Sequence, residues 1–100
     1  MNKAEEHDLT EYKLTRLGNV KQFIYNGRTP HDWNADVRFA MNAVAFPVEY
    51  RPRTTFSTVK IIAGMNVVAT LDFTSEGFIY LKTSNKITAG TWVTIHVCYI

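Results

Sequence analysis

The sequence has little of several features that would assign it to a functional class. Its one cysteine, Cys98, excludes an intrachain disulfide framework and a zinc site built from cysteines. No hydrophobic run reaches the roughly 18 residues of a membrane-spanning helix, and the first residues, MNKAEEHDL, lack the order of a signal peptide. Eleven Lys and Arg against nine Asp and Glu leave a net charge of +2, which is too small to predict nucleic acid or an anionic membrane as the main partner.

What is present favours one all-β domain. The 100 residues are 46% hydrophobic and 20% charged, enough for a single core. Residues 1–9 are predicted to form a tail or short helix, and residues 10–100 a jelly-roll-like antiparallel β-sandwich of about seven strands. Turns are predicted at 18–19, 26–27, 64–66 and 75–77. Phe46–Pro52 is expected to have no regular structure, because of its two prolines, and to form a crossover between the sheets. The predicted strands are 10–17, 20–25, 36–44, 55–63, 67–73, 78–82 and 91–100.

No motif in the chain indicates catalysis. A nucleophile-elbow serine motif and a glycine loop for phosphate are both absent, and the three histidines lack the spacing of metal ligands. His96 and Cys98 would share one face of a strand, but a thiol in such a strand more often packs in the core. We therefore expect no enzyme activity, no metal and no cofactor.

Two groups of residues suggest a saccharide site. His31, Asp32 and Trp33 lie in the PHDWN loop, and this mix can stack on a sugar ring and bind its hydroxyls. The alternative is that Trp33 only closes the end of the sandwich. Asp72 and Thr70 share one strand face, where they would either bind sugar hydroxyls or lie on a solvated outer face of the sheet. Tyr80, on a neighbouring strand, would line that patch or fill the core.

The order of several motifs resembles the head domain of phage tail receptor-binding proteins, in particular lactococcal siphophage baseplate heads. The resemblance covers residues 10–100. It rests on a Gly-Asn-x-Val-like strand, a proline-bounded turn, a Gly-x-Ile hairpin and a closing Trp strand, which here are GNV at 18–20, PVEYRP at 47–52, EGFI at 76–79 and WVTI at 92–95. In those heads a His-x-Asp strand contributes to the glycan pocket. The matching positions are Thr70 and Asp72, so the carboxylate is retained and the imidazole is not.

This resemblance implies a homotrimeric adhesion domain that binds a host cell-envelope saccharide. It would be made in the bacterial host cytoplasm and lie in the virion, at the tail tip or baseplate, beside other tail proteins. A trimer would also cover the second apolar faces of two strands, at Ile62 and at Trp92, Cys98 and Ile100. A structural tail or baseplate module without a ligand and a bacterial carbohydrate-binding module remain alternatives.

Overall fold

The computed structural model describes residues 12–62 and 67–100 and the backbone of residues 5–8. Two antiparallel four-stranded sheets pack face to face, which confirms the predicted all-β sandwich. Sheet I has the order β1-β2-β3-β8, with β1 Glu5–Asp8, β2 Tyr12–Leu17, β3 Val20–Arg28 and β8 Trp92–Tyr99. Sheet II has the order β4-β7-β6-β5, with β4 Phe39–Ala40, β5 Phe56–Ile62, β6 Val67–Phe73 and β7 Ile79–Thr83. No helix in these described ranges has the length and hydrophobicity of a membrane span.

Alternation along the strands builds the core between the sheets. In β8, Val93, Ile95, Val97 and Tyr99 are buried, while the residues between them are exposed. β6 alternates in the same way, so its even-numbered residues lie on the outer face of sheet II. Aromatic rings fill the centre, where Phe73 stacks on Phe56 with ring centroids 4.9 Å apart. The two inner faces therefore form one continuous hydrophobic core.

Several predicted segments differ from the structure. The tail or helix expected over residues 1–9 is wrong at Glu5–Asp8, which pair with β2 as a strand. The turn expected at Asn26-Gly27 is also wrong, because β3 continues through both residues and pairs them with Thr94 and Val93. The strand expected over 36–44 is reduced to Phe39–Ala40. The turn at Gly18-Asn19 is confirmed, with Gly18 at φ 61°, whereas the one at 64–66 lies outside the described residues.

The segment from residue 41 to residue 55 runs from one edge of sheet II to the other. The prediction of a crossover between the two sheets was therefore wrong, because β4 and β5 belong to the same sheet. Phe46–Pro52 also contains a short 3₁₀ helix, Val48–Tyr50, although no regular structure was expected there. Pro47 precedes this helix, a position that needs no backbone N–H donor.

Hydrogen bonds to carbonyl groups hold this segment in place. Arg51 Nε donates to the Phe46 carbonyl at 2.8 Å. The Phe46 N–H donates to the Gly77 carbonyl at 2.9 Å. Gly77 has φ 95°, and a Cβ there would lie 2.9 Å from the Phe46 nitrogen, so this turn requires glycine. From sheet I, the Tyr99 hydroxyl donates to the Tyr50 carbonyl at 2.6 Å, and burial raises the pKa of this phenol.

Candidate functional site

Trp33 is part of the core and does not form a ligand platform. Only 2% of the residue is exposed, and its ring lies 5.7 Å from that of Tyr25 and 5.5 Å from that of Phe39. Its backbone exchanges two hydrogen bonds with Ile87, which holds the loop against the segment before β8. A buried indole offers no exposed face to a sugar ring, which favours the alternative that Trp33 closes the end of the sandwich.

Asp32 and His31 lie on the surface beside Trp33, where Asp32 links two loops. One Asp32 carboxylate oxygen accepts the Ala89 N–H at 2.7 Å, and the other lies 3.4 Å from Lys86 Nζ. The Ala89 hydrogen bond and then the Lys86 charge lower the pKa of the Asp32 carboxyl. The exposed His31 ring contacts Phe39 edge-on. With the carboxylate committed to this loop contact and the tryptophan buried, the predicted loop site loses its aromatic platform.

Asp72, by contrast, lies in a polar row across the outer face of sheet II. The strand register places Ser57 of β5 and Tyr80 of β7 directly opposite Asp72 of β6. Opposed residues in antiparallel strands project to the same face, so the three side chains are neighbours. Ser57 Oγ donates to Asp72 Oδ1 at 2.6 Å, which holds one side of the carboxylate.

Arg38 completes this row from the segment before β4. Its Nε donates to Asp72 Oδ2 at 3.2 Å, and its guanidinium carbon lies 4.0 Å from the centre of the Tyr80 ring. The guanidinium therefore covers one face of the aromatic ring. The Asp72 side chain is 29% exposed and that of Arg38 is 54% exposed, so the ion pair remains open to solvent. We call Arg38, Ser57, Thr70, Asp72 and Tyr80 the outer polar cluster.

The outer polar cluster retains hydrogen-bonding capacity for a ligand. Each Asp72 oxygen accepts one bond from the protein and has a second acceptor position. The hydroxyls of Thr70 and Tyr80 and the terminal nitrogens of Arg38 make no hydrogen bond within the described part of the chain. Thr70 lies opposite Lys82, which extends the row of polar side chains along the sheet. The cluster can thus accept and donate hydrogen bonds over a broad, shallow face.

The structure keeps the two predicted groups apart. Among the described residues, no hydrogen bond, ion pair or ring contact joins the loop set to Asp72, Thr70 or Tyr80. Sequence reasoning missed two members of the cluster, Ser57 and Arg38. Alternation places Ser57 on the exposed face of β5, but only the pairing of β5 with β6 identifies its partner.

Cys98 and His96 share the outer face of sheet I. The prediction that the thiol packs in the core was wrong, because Cys98 is exposed. Its sulfur lies 3.9 Å from His96 Nε2, which itself lies 3.3 Å from Gln22 Oε1. Across residues 12–62 and 67–100, no three side chains of His, Cys, Asp or Glu are grouped as a metal ion would require.

Comparison with known proteins assigns this chain to no family. No protein-family model and no curated protein matches its sequence.

Proposed function

We propose that this domain binds a saccharide, without catalysis, through the outer polar cluster of sheet II. The observation that carries this proposal is the arrangement around Asp72, where a partly exposed carboxylate is held by Ser57 and Arg38 beside Tyr80. Sugars present alternating hydroxyl donors and acceptors, which carboxylate, hydroxyl and guanidinium groups bind directly. Glycoside hydrolysis ordinarily uses two carboxyl groups, and the cluster supplies one, which supports binding rather than cleavage.

The geometry favours recognition by hydrogen bonds over stacking. Arg38 covers one face of Tyr80, so a sugar ring would meet the guanidinium there instead of the bare aromatic face. Each new hydrogen bond replaces one to water, so the net gain is about 0.5–1.5 kcal/mol per bond and single-site affinity is low. Many domains on one surface would raise the apparent affinity by about 10²–10⁴ through multivalency.

The biological setting within this proposal is host adhesion by a phage tail or baseplate. The support for it is the resemblance of residues 10–100 to receptor-binding heads, together with the presence of Asp72 at the position of their carboxylate. The absence of an imidazole at Thr70 predicts a ligand that differs from those of the lactococcal heads. Ser57 and Arg38 would supply contacts in its place.

The decisive test is the substitution Asp72→Asn, measured on a glycan array and on host cells. This change keeps the shape of the side chain and removes the charge that holds Arg38. Glu49→Gln is the matched control, because Glu49 is an exposed carboxylate on the 3₁₀ helix. We expect Asp72→Asn to reduce binding at least about tenfold, because one hydrogen bond to a charged group is lost. Glu49→Gln should leave binding unchanged. Equal binding by both folded variants would refute the assignment of the site.

A structural module without a ligand is the second candidate, and an apolar patch on the same sheet favours it. Val59 and Ile61 of β5 are 60% and 69% exposed, and Val68 of β6 lies opposite Ile61. Exposed neighbouring aliphatic side chains are typical of protein contacts. If no glycan or cell binding is detected and Ile61→Ser abolishes incorporation into tail particles, the domain is a structural component.

A further inference from the structure

The four edges of the two sheets differ in their protection against strand pairing. β4 has two residues, and the four-residue β1 contains three acidic residues, which makes both poor templates. β5 has Lys60 opposite the fully buried Ala69, and an inward-directed lysine at an edge blocks the approach of another strand. β8, WVTIHVCY, has eight residues and contains no Lys, Arg, Asp, Glu, Pro or Gly. It is the least protected edge in the described part of the chain.

The hydrogen bonds at both ends of β8 show which backbone groups face outward. The Thr91 carbonyl accepts the N–H of Thr29, the residue that follows β3. The odd-numbered residues of β8 therefore direct their backbone N–H and C=O groups towards β3. The Ile100 carbonyl accepts the Arg53 N–H on the opposite side. Because the N–H and C=O groups alternate in direction along an antiparallel strand, those of the even-numbered residues point away from sheet I. These residues are Trp92, Thr94, His96 and Cys98.

These outward groups are open to a partner. No hydrogen bond among the described residues uses the backbone N–H or C=O of Trp92, Thr94, His96 or Cys98. The bond from Arg53 to Ile100 ends the open edge at Cys98, and Gly90, with φ 84°, turns the chain before Trp92. The free edge is therefore bounded at both ends and has a defined length.

We propose that β8 is a self-association surface, on which β8 of a second copy pairs antiparallel about a two-fold axis. A second copy of β8 fits this edge, because one register matches all four outward residues with one another. With Ile95 at the axis, Trp92 lies opposite Cys98 of the second copy and Thr94 lies opposite His96. Each opposed pair exchanges two backbone hydrogen bonds, and sheet I becomes a continuous eight-stranded sheet.

Charge and side-chain chemistry also suit this self-pairing. β8 contains no Lys, Arg, Asp or Glu, so two copies meet without repulsion between like charges. Trp92 is 54% exposed in the single chain, and the register places its indole beside the Cys98 sulfur, which is a favourable contact. The pair is two-fold and isologous, so it competes with the homotrimer expected from the sequence resemblance.

A disulfide designed across the two-fold axis tests the register. In Trp92→Cys the new thiol lies opposite Cys98 of the second copy, with Cα atoms about 5.5 Å apart, which suits a disulfide. Oxidised glutathione accepts the electrons as the two thiols join, and two reduced glutathione molecules are released. We expect a covalent dimer to be the main species on a non-reducing gel.

Two matched controls make this result specific. In the unchanged chain, the two Cys98 residues lie six residues apart along the paired strands, or about 20 Å, so no covalent dimer forms. The double variant Trp92→Cys with Cys98→Ser leaves its two thiols equally far apart and also stays uncrosslinked. If folded Trp92→Cys remains monomeric on the gel, or if either control crosslinks to the same extent, the proposed register is wrong.

Light scattering across a concentration series tests the association itself. We expect the mass of the unchanged chain to rise from 11.4 kDa to about twice that value. Thr94→Pro removes an outward N–H without removing a hydrogen bond to β3, so its mass should stay at 11.4 kDa. The control Thr94→Val keeps this N–H and should dimerise like the unchanged chain. A mass of 11.4 kDa at every concentration, or three times that value, would overturn pairing through β8.

Discussion

Asn42 offers the sharpest test of how the segment after β4 is held. The residue is 4% exposed, and all of its side-chain hydrogen bonds join backbone groups. Its Nδ2 donates to the Gly77 carbonyl at 2.8 Å and to the Val44 carbonyl at 2.9 Å, while its Oδ1 accepts the Ile79 N–H at 2.9 Å. One amide therefore connects three points on two separate segments.

The cost of Asn42→Ala follows from the groups that it leaves unpaired. The Gly77 carbonyl keeps its bond from the Phe46 N–H, but the Val44 carbonyl and the Ile79 N–H lose their side-chain partner. Ile79 is 1% exposed, so water cannot readily replace the amide oxygen there. A buried unsatisfied group costs about 1–3 kcal/mol and a lost hydrogen bond about 1 kcal/mol, so we expect a loss of about 2–4 kcal/mol.

Urea unfolding monitored by tryptophan fluorescence measures this loss. Asn85→Ala is the matched control, because Asn85 is exposed and only accepts a bond from Ser84 Oγ, so its cost should stay within about 0.5 kcal/mol. The slope of the unfolding free energy against urea should be unchanged in both variants. If Asn42→Ala and Asn85→Ala unfold at the same urea concentration, the three bonds contribute nothing measurable and the reasoning fails.

Two further predictions concern the loop set. Trp33→Ala should reduce the free energy of unfolding by about 3–5 kcal/mol, because it leaves a cavity in the core between Tyr25 and Phe39. Urea unfolding followed by circular dichroism measures this loss, and a value below about 1 kcal/mol would contradict the place of Trp33 in the core. The pKa of Asp32 is lowered in the folded state, so its stabilising effect is present above the unfolded pKa of about 3.9 and lost as pH falls through the folded value. The stability difference between the unchanged chain and Asp32→Asn should therefore shrink on acidification, and a difference independent of pH would rule out this linkage.

Alternation of apolar and polar residues was sufficient to predict strands that bury one face in the core between the two sheets. In β6 and β8 every second residue is buried over the whole length of the strand, as alternation predicts. The same signal was misleading over residues 36–44, because Asp36 has φ 59° and Asn42 bonds to the turn at Gly77 instead of continuing the strand. The Asn26-Gly27 pair failed as a turn signal, since pairing with β8 overrides the local preference.

The residues of the candidate site could be predicted from the sequence less well than the strands, because their grouping depends on the tertiary structure. Trp33 and Asp72 were both plausible ligand contacts from residue type, and local sequence does not say which one is covered. Pairing of the loop with Ile87 places Trp33 in the core, whereas the register of β6 leaves Asp72 on the outer face. Arg38 and Ser57 lie far from Asp72 in sequence; Ser57 reaches it through the pairing of β5 with β6, and Arg38 reaches it from the segment before β4. Side-chain periodicity is a local property that the sequence determines, while the partners across a sheet are set by the register of strands distant in the chain.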